Sequence, residues 1–186
     1  MLHEFIDDIF QDKKLVGRSS RWANWQSMLT PTSCRTCIKN HGKIVSIVVL
    51  SHGNRVNEHD RCICIYVPMR TKTIGSATSM GENGPDVQLK YFNRLPTYYV
   101  TKEDAELLGW KKYLGNLQDV LPGKTIGGDV YKNFSKKLPD APGRIWYEAD
   151  INYEGGYRNQ DRILYSNDGL IFVSYDHYQT FYEITN

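Results

Sequence analysis

Apolar and polar side chains alternate most clearly between residues 144 and 151, near the end of the chain. A period of two residues is typical of a strand that packs one face on a core. We therefore expect Glu148 to be held rigidly in mid-strand, on the face away from the core and partly exposed. The apolar set is Ile145, Tyr147, Ala149 and Ile151, and the opposite set is Arg144, Trp146, Glu148 and Asp150.

Turn-forming residues divide the following stretch, up to residue 181, into further short strands. Gly155 and Gly156 lie in a turn cluster, and the run at residues 166–169, Ser-Asn-Asp-Gly, is a hairpin signal. A strand at 170–174 then leads into a polar segment. The pattern predicts a sheet of three or four antiparallel strands. One face of this sheet could bring together four polar side chains: Glu148, Arg158, Arg162 and His177.

Helix signals precede this sheet. Pro85 suits a first helical position, and Thr101 with Asp104 three residues later resembles a capping box. Residues 124–131 predict a strand in which Gly127-Gly128 marks a close backbone approach rather than a phosphate loop. Helices followed by strands indicate an α+β fold with an antiparallel sheet of roughly five strands.

The first part of the chain has a different organisation. Trp22, Trp25 and Met28 share one face of a predicted helix, and residues 2–12 predict a short amphipathic helix. Residues 71–84 are rich in Gly, Ser and Thr without periodicity, which is typical of a flexible linker. The predicted organisation is a small module at 1–70, a linker at 71–84 and a domain at 85–186.

The four cysteines all lie in this small module, as two close pairs. Cys34 and Cys37 form C-x-x-C, and Cys62 and Cys64 form the tighter C-x-C. Two close pairs separated by a loop suit a tetrahedral structural zinc site. The acidic start of the chain does not resemble a signal peptide, so disulfides are less expected. Structural zinc, cysteines that are free or disulfide-paired, and redox catalysis all stay open.

Charge and hydropathy narrow the function classes. The chain has 186 residues and a net charge of +2, and 40% of its residues are hydrophobic, which supports a packed core. Residues 85–186 carry 12 Lys and Arg against 14 Asp and Glu, a net charge of −2. Any nucleic-acid binding must therefore come from a local patch. No segment approaches a membrane span, so no membrane partner is expected.

The polar side chains of the sheet suit cleavage of a phosphodiester. A glutamate, with an ordinary pKa near 4.3, can take the 2′-OH proton, and a histidine, near 6.5, can protonate the departing 5′-oxygen. Arginine presents a planar fork to phosphate oxygens. The structural alternative is a cross-strand ion pair between Glu148 and Arg162, with His177 as a turn residue. Spacing and composition alone favour that alternative.

Residues from about 95 to 184 resemble barnase and its bacterial relatives. The matching blocks are LPTYYVTKEDAELLGW, GNLQDVLPGKTIGGDVY, EADINYEGGYRNQDRILYS and DHYQTF, in the same order and with hardly a gap. The resemblance implies a barnase-like fold for residues 85–186. It also implies a metal-independent endoribonuclease that cuts single-stranded RNA through a 2′,3′-cyclic phosphate, with no cofactor for catalysis.

The resemblance implies a role for each matching residue. Glu148 is the general base and His177 the general acid. Arg158 and Arg162 hold the scissile phosphate, and Lys102 supports the transition-state charge. The other implied roles are base stacking for Tyr178 and structural ion pairing behind the site for Asp150, Arg144 and Asp168.

One loop departs from the family pattern. Where the family has Ser-Asn-Arg-Glu, which recognises guanine, this chain has Lys132, Asn133, Phe134 and Ser135. A serine hydroxyl accepts the guanine N–H donors less well than a carboxylate does, so the resemblance does not carry guanine preference over to this chain. Phe134 either stacks on a base or packs under the loop.

Residues 34–68 more weakly resemble the C-terminal part of phage head-morphogenesis proteins, through the C-x-x-C, a following Gly-Lys and the C-x-C. Asp60 and Arg61 depart from that pattern. Together the resemblances suggest a toxin effector made in the cytoplasm and delivered by a phage-like or secretion route. RNA is then the substrate and a barstar-like inhibitor a partner. Two alternatives are a phage-particle docking protein with an inactive nuclease fold and a nuclease with catalytic zinc.

Overall fold

The computed structural model describes residues 21–27, 35–47 and 64–186, which form two sheets and four α-helices. The small sheet has the order β2-β1-β3, with β1 at Trp22–Gln26, β2 at Ile44–Ser46 and β3 at Ile65–Pro68. The strands of the large sheet are β4 Thr71–Thr73, β5 Tyr99–Val100, β6 Thr125–Tyr131, β7 Trp146–Asp150, β8 Arg162–Ser166, β9 Ile171–Ser174 and β10 Tyr182–Thr185. The helices are α1 Arg35–Asn40, α2 Pro85–Phe92, α3 Lys102–Leu107 and α4 Leu117–Val120.

The large sheet has the order β4-β10-β9-β8-β7-β6-β5. Strands β6 to β10 pair with one another in antiparallel fashion. At the two edges of the sheet, β4 pairs in parallel with β10, and β5 pairs in parallel with β6. A few helices beside an antiparallel sheet agree with the predicted α+β class. The strand number differs from the predicted five, because the two short parallel edges lack the alternation that identifies longer strands.

Local chemistry explains where the helices of the large domain begin. Pro85 occupies the first turn of α2, where its missing N–H leaves no partner unsatisfied. Thr101 caps α3 by accepting a hydrogen bond from the main-chain N–H of Asp104, at 3.2 Å. Both predicted helix starts are confirmed, and the second places Lys102 as the first residue of α3.

Of the two glycines of β6, Gly127 marks the predicted close approach, and Gly128 lies at a bulge with only ordinary contacts. A Cβ atom at Gly127 would lie 2.4 Å from the Cβ of Ala149 on β7 and 2.6 Å from the Tyr99 ring on β5. The register of β6 against β7 shifts between Gly127 and Asp129, and Gly128 at this bulge has a φ of +97°. The bulge ends at Asp129, which contacts Lys102.

The large sheet is buried on both faces. Of the predicted apolar face, Ala149 and Ile151 pack in one core cluster, whereas Ile145 is exposed. On the opposite face, Trp146 packs in a second cluster with Leu164 and Phe172. The prediction that Glu148 lies on a face without a core is therefore wrong. The second cluster covers the face that carries Glu148 near the start of β7. The polar site lies at the other end of the same face.

The small sheet differs from the sequence prediction. Trp22 and Trp25 lie on strand β1 and not on a helix. The segment predicted as a flexible linker begins with strand β4, which pairs with β10, and continues through Ala77, which is buried in the core of the large sheet. The predicted helix at 2–12, Met28 and much of the segment that resembles phage head proteins lie outside the described residues.

Candidate active site

Glu148 lies in the middle of β7 and is 9% exposed. Lys102 Nζ donates to its Oε1 and the Tyr178 hydroxyl to its Oε2, each at 2.5 Å. Burial alone would raise the pKa of this carboxyl, but the two hydrogen bonds and the charges of Lys102 and Arg158 hold the pKa below its ordinary value. Glu148 is therefore ionised at neutral pH and can accept a proton.

Lys102 is fixed at both ends of its side chain. Its main-chain N–H donates to Asp129 Oδ1 at 3.1 Å, and its Nζ lies 3.8 Å from Asp129 Oδ2. The cap at Thr101 and the bulge of β6 thus aim one ammonium group at Glu148. Asp129 has this positioning contact although the sequence did not single it out.

Asp150, which is 1% exposed, holds both arginines of the site. Arg158 donates to its two oxygens at 2.6 and 2.7 Å, and Arg162 Nε lies 3.1 Å from Oδ1 as an ion pair without hydrogen-bond geometry. Burial would lower the pKa of Arg158, but Asp150 raises it, so the guanidinium stays charged. Arg162 faces Asp150 across β7 and β8 and pairs with it, whereas Glu148 pairs with Lys102. The predicted alternative of a Glu148–Arg162 ion pair is therefore wrong.

The predicted ion pairs behind the site are present. Asp150 pairs with the arginines as described, and Arg144 donates to both oxygens of Asp168 at 2.7–3.0 Å. The Arg144 guanidinium holds the pKa of the Asp168 carboxyl below its usual range. This pair joins the start of β7 to the β8–β9 hairpin and so fixes the strand that carries Glu148.

His177 lies on an exposed turn with left-handed backbone. His177 has a φ of +54° and Tyr178 a φ of +69°. Asp176 stabilises the turn by accepting main-chain hydrogen bonds from Gln179 at 3.0 Å and Thr180 at 2.9 Å. Burial would raise the pKa of Asp176, but the Thr180 hydrogen bonds hold it below its ordinary value. The surrounding bonds thus hold a backbone that L residues rarely adopt and present His177 at the rim of the site.

Two adjoining clefts meet at Glu148, His177 and Tyr178. We call the first the phosphate-side cleft; it has a volume of about 500 Å³. We call the second the base-side cleft; it has a volume of about 510 Å³. The phosphate-side cleft is further lined by Lys102, Lys112, Arg158, Asn159, Gln160 and Arg162, and the base-side cleft by residues 130–135, Lys137 and Gln179.

Tyr178 and Asn133 have structural contacts in the base-side cleft. The Tyr178 ring stacks on Tyr131 with 5.2 Å between centroids, and burial together with its bond to Glu148 raises the pKa of its hydroxyl. Asn133 has a φ of +43°, and its side chain bonds the main-chain N–H and C=O of Leu138 at 3.2 and 2.9 Å. Asn133 therefore closes the loop, and the Tyr178 ring already has an aromatic partner.

The loop residues at which the chain departs from the family pattern face solvent. Phe134 is 86% exposed, with Lys132 Nζ 5.8 Å from its ring centre, and Ser135 is also exposed. The alternative that Phe134 packs under the loop is wrong. The base-side cleft therefore has an aromatic side chain free to meet a ligand.

The structure brings Glu148, His177, Lys102 and the two arginines to one place. Lys112 and Lys137 line the clefts as well, although the sequence did not single them out. Lys112 is one of two adjacent lysines after α3 and has no periodic signal. Lys137 reaches the site through hydrogen bonds to the carbonyls of Tyr178 and Gln179, which are distant in sequence.

The predicted cysteine site is described in part. Cys37 and Cys64 are buried in one small cluster with Trp25 and Tyr66, whereas Cys34 and Cys62 lie outside the described residues. Within residues 21–27, 35–47 and 64–186, no three His, Cys, Asp or Glu side chains are grouped so that they could hold a metal ion. Structural zinc therefore stays a prediction. No helix in these same residues is long and apolar enough to cross a membrane.

Known proteins match the part of the chain that holds these clefts. A family model described as ribonuclease matches residues 85–185. A ribonuclease of Heyndrickxia coagulans is 55% identical over 93 residues, which cover 50% of this chain and 85% of that protein. Ribonucleases of Bacillus intermedius and Bacillus pumilus are also 55% identical over 93 residues, but the chain spans 57% of their length. With more than half of its residues in the matched region, the chain belongs to the ribonuclease family and is an enzyme of the barnase type.

Proposed function

We propose that the chain cuts single-stranded RNA by acid–base transesterification, without a metal ion. The observation that carries the proposal is that Glu148 and His177 line the same two clefts, one of which also contains four cationic side chains. A base, an acid and a cationic pocket are the groups that this reaction requires. Family membership supports the same reaction class.

In the first step, Glu148 takes the proton of the 2′-OH, and the 2′-oxygen attacks phosphorus. The bond from phosphorus to the 5′-oxygen breaks, and His177 gives that oxygen a proton, which leaves a 2′,3′-cyclic phosphate. In the second step the roles reverse, and a water molecule opens the ring. A carboxylate has about four lone-pair sites, so Glu148 can accept this proton while Lys102 and Tyr178 donate to it.

The cations stabilise the charge that develops on phosphorus. Arg158 and Arg162 are fixed on one buried carboxylate, so their forks need little reorganisation when the phosphate binds. Lys102 lies against Glu148 and is placed to support the same charge after the proton has moved. Asp150 acts as a positioning residue that does not itself meet the substrate.

Base recognition belongs to the base-side cleft. We propose that Phe134 stacks on a base next to the cut, with Tyr178 and Tyr131 forming the opposite wall. Ser135 offers a hydroxyl where the family has a carboxylate. Stacking on one exposed ring gives modest differences between bases, set by stacking strength, and does not recognise the N–H donors of guanine, so a specific guanine preference is expected to be low.

The test is cleavage of a short fluorescent RNA between pH 4 and 9, with EDTA present. The wild type should give a bell-shaped profile of kcat/KM, and Glu148→Gln and His177→Gln should each lose about 10²- to 10⁴-fold. Glu154→Gln, which changes an exposed carboxylate outside both clefts, is the matched control. Inhibition by the chelator would contradict the metal-independent mechanism. Folded wild type without cleavage would instead favour a docking protein with an inactive nuclease fold.

We propose further that the chain acts as a toxin effector, restrained by a barstar-like inhibitor. An inhibitor that presents acidic side chains would fit the cations of the phosphate-side cleft. Growth arrest on expression of the wild type, relieved in Glu148→Gln, tests the first part. Capture of a barstar-type protein by wild type in a pull-down tests the second, and failure of capture would count against it.

A further inference from the structure

The small sheet uses its open edge to contact the loop of the base-side cleft. Strand β2 is an edge strand that pairs with β1 on one side. On its other side the main-chain N–H of Ile44 donates to the carbonyl of Lys137 at 2.8 Å. An edge strand presents unpaired N–H groups, and here one of them is satisfied by the ribonuclease domain.

Lys137 connects this contact to the opposite wall of the cleft. Its Nζ donates to the carbonyl of Tyr178 at 3.0 Å and lies 3.5 Å from that of Gln179. Its backbone therefore bonds the small sheet, while its side chain bonds the turn that carries His177. The 132–138 loop and that turn are the two walls between which a base would enter.

Buried packing holds the small sheet in this position. Ile44 lies in the same core cluster as Leu138, Trp146 and Phe172 of the ribonuclease domain. The Trp22 ring contacts Phe172 edge-on, with 6.4 Å between centroids. Because Leu138 is also the residue that Asn133 bonds, the end of the loop is fixed to the small sheet through both packing and hydrogen bonds.

We infer that the small sheet is a positioning element of the base-side cleft. Through Ile44 and Lys137 it sets the spacing between the 132–138 loop and the His177 turn, and so base affinity and base selection. Glu148 depends less on it, because Lys102 and β7 also hold that carboxylate. The inference rests on the proposed ribonuclease activity and assigns the small sheet a part in it.

The test removes one N–H from the full chain. Ile44→Pro deletes the donor to Lys137, and proline is tolerated on an edge strand where the N–H faces away from its partner strand. Ile44→Ala loses side-chain packing but keeps the donor and is the matched control. The substrates are four dinucleotides that differ in the base 5′ to the cut. Relative to Ile44→Ala, Ile44→Pro should raise KM about 2- to 10-fold and reduce the differences between bases, and it should change KM more than kcat.

A second pair of variants keeps the inference testable if Ile44→Pro does not fold. Lys137→Met should raise KM and reduce base selection in the same way, and Lys137→Arg, which keeps a donor toward Tyr178, should largely restore both. If all variants fold, the Ile44→Pro and Lys137→Met effects should not add, since both act through one residue. Unchanged KM and base ratios in Lys137→Met, or strictly additive effects, would overturn the inference. A wild type that does not cleave would instead overturn the proposed function.

Discussion

Opposing influences on Glu148, the proposed base, set the pH range in which its carboxyl is ionised. Burial disfavours its charged form, and hydrogen bonds from Lys102 and Tyr178 favour it more strongly. The pKa of the carboxyl is therefore lowered, and the base is ready at a lower pH than an ordinary glutamate would be. The acid limb of the pH profile of kcat/KM should therefore lie at a lower pH than it would for a glutamate with an ordinary pKa.

Replacing Lys102 with alanine should both slow the reaction and move this limb. Without the ammonium group, the raising effect of burial on the Glu148 pKa is less opposed, so the acid limb of kcat/KM shifts to higher pH. Loss of one charge-stabilising donor should also lower kcat by about 10²- to 10³-fold. Lys111→Ala, an exposed lysine beyond α3, is the control. An acid limb that stays in place would show that Lys102 does not govern the base.

Loss of the Asp150 carboxylate should cost more stability than loss of the Asp168 carboxylate. Asp150→Asn would leave two largely buried guanidinium groups without their counter-charge, so the free energy of unfolding at pH 7 should fall by about 3–5 kcal/mol. Asp168→Asn breaks an ion pair whose carboxylate side chain is 45% exposed, and should cost at most about 1 kcal/mol. Urea unfolding measures both. Equal losses in the free energy of unfolding would mean that burial of Arg158 and Arg162 adds nothing to the cost of losing their carboxylate.

At the scale of elements, close packing at β6 determines where Lys102 and Glu148 meet. Gly127→Ala would insert a methyl group against Ala149 and Tyr99, so β6 must move away from β5 or β7. We expect a loss of about 1–3 kcal/mol in the free energy of unfolding, together with a fall in kcat as Asp129 shifts. Gly123→Ala, which meets open space, carries the cost of a left-handed φ alone. An unchanged kcat in Gly127→Ala would show that the position of the bulge does not affect catalysis.

Elements that depend on local chemistry could be predicted from the sequence. The cap at Thr101 and the hairpin at residues 166–169 follow from a few adjacent residues. Strand β1 could not be predicted, because each of its faces meets a different core. Trp22 packs on Phe172, and Trp25 packs in the cysteine cluster. With one tryptophan on each face, the apolar residues of β1 do not alternate along the sequence, and the spacing of the two tryptophans suits a helix equally well.

A glutamate, a histidine and two arginines in a short stretch of sequence were predicted to share one face, and the structure brings them to one place. Their catalytic roles come from the family resemblance and stay a proposal. That one aspartate would hold both arginines depends on the register of β7 against β8. The contact of Lys137 with Tyr178 joins residues that are 41 apart in sequence, and no local pattern announces it.

At the scale of the whole molecule, charge is local. Residues 85–186 have a net charge of −2, and three cations of the phosphate-side cleft pair with carboxylates. Among the described residues, no carboxylate oxygen lies in ion-pair distance of Lys112. Lys112 is therefore the cation of the cleft whose charge is most available to an RNA phosphate beyond the cut.

Lys112→Ala should weaken binding of long single-stranded RNA and lower the salt dependence of that binding. Loss of one phosphate contact reduces the slope of log K against log salt by about 0.7. Cleavage of a dinucleotide, which has no flanking phosphate, should hardly change. Lys111→Ala, whose side chain does not line the cleft, should leave the slope as in wild type. The slope is measured by titrating long single-stranded RNA into Glu148→Gln variants, which bind without cutting, at several salt concentrations. An unchanged slope in Lys112→Ala would contradict a phosphate contact by Lys112.

The parallel pairing of β4 with β10 has a consequence for folding kinetics. It joins residues 71–73 to residues 183–185, so it closes a loop of roughly 110 residues at an entropic cost of about 4 kcal/mol. Because forming it first would cost that entropy, we expect this contact to form after the antiparallel strands have assembled and shortened the loop. Interactions absent from the transition state slow unfolding without speeding folding. We therefore expect β4 to slow unfolding, and so to prolong the lifetime of the folded enzyme, while the rate of folding stays nearly unchanged.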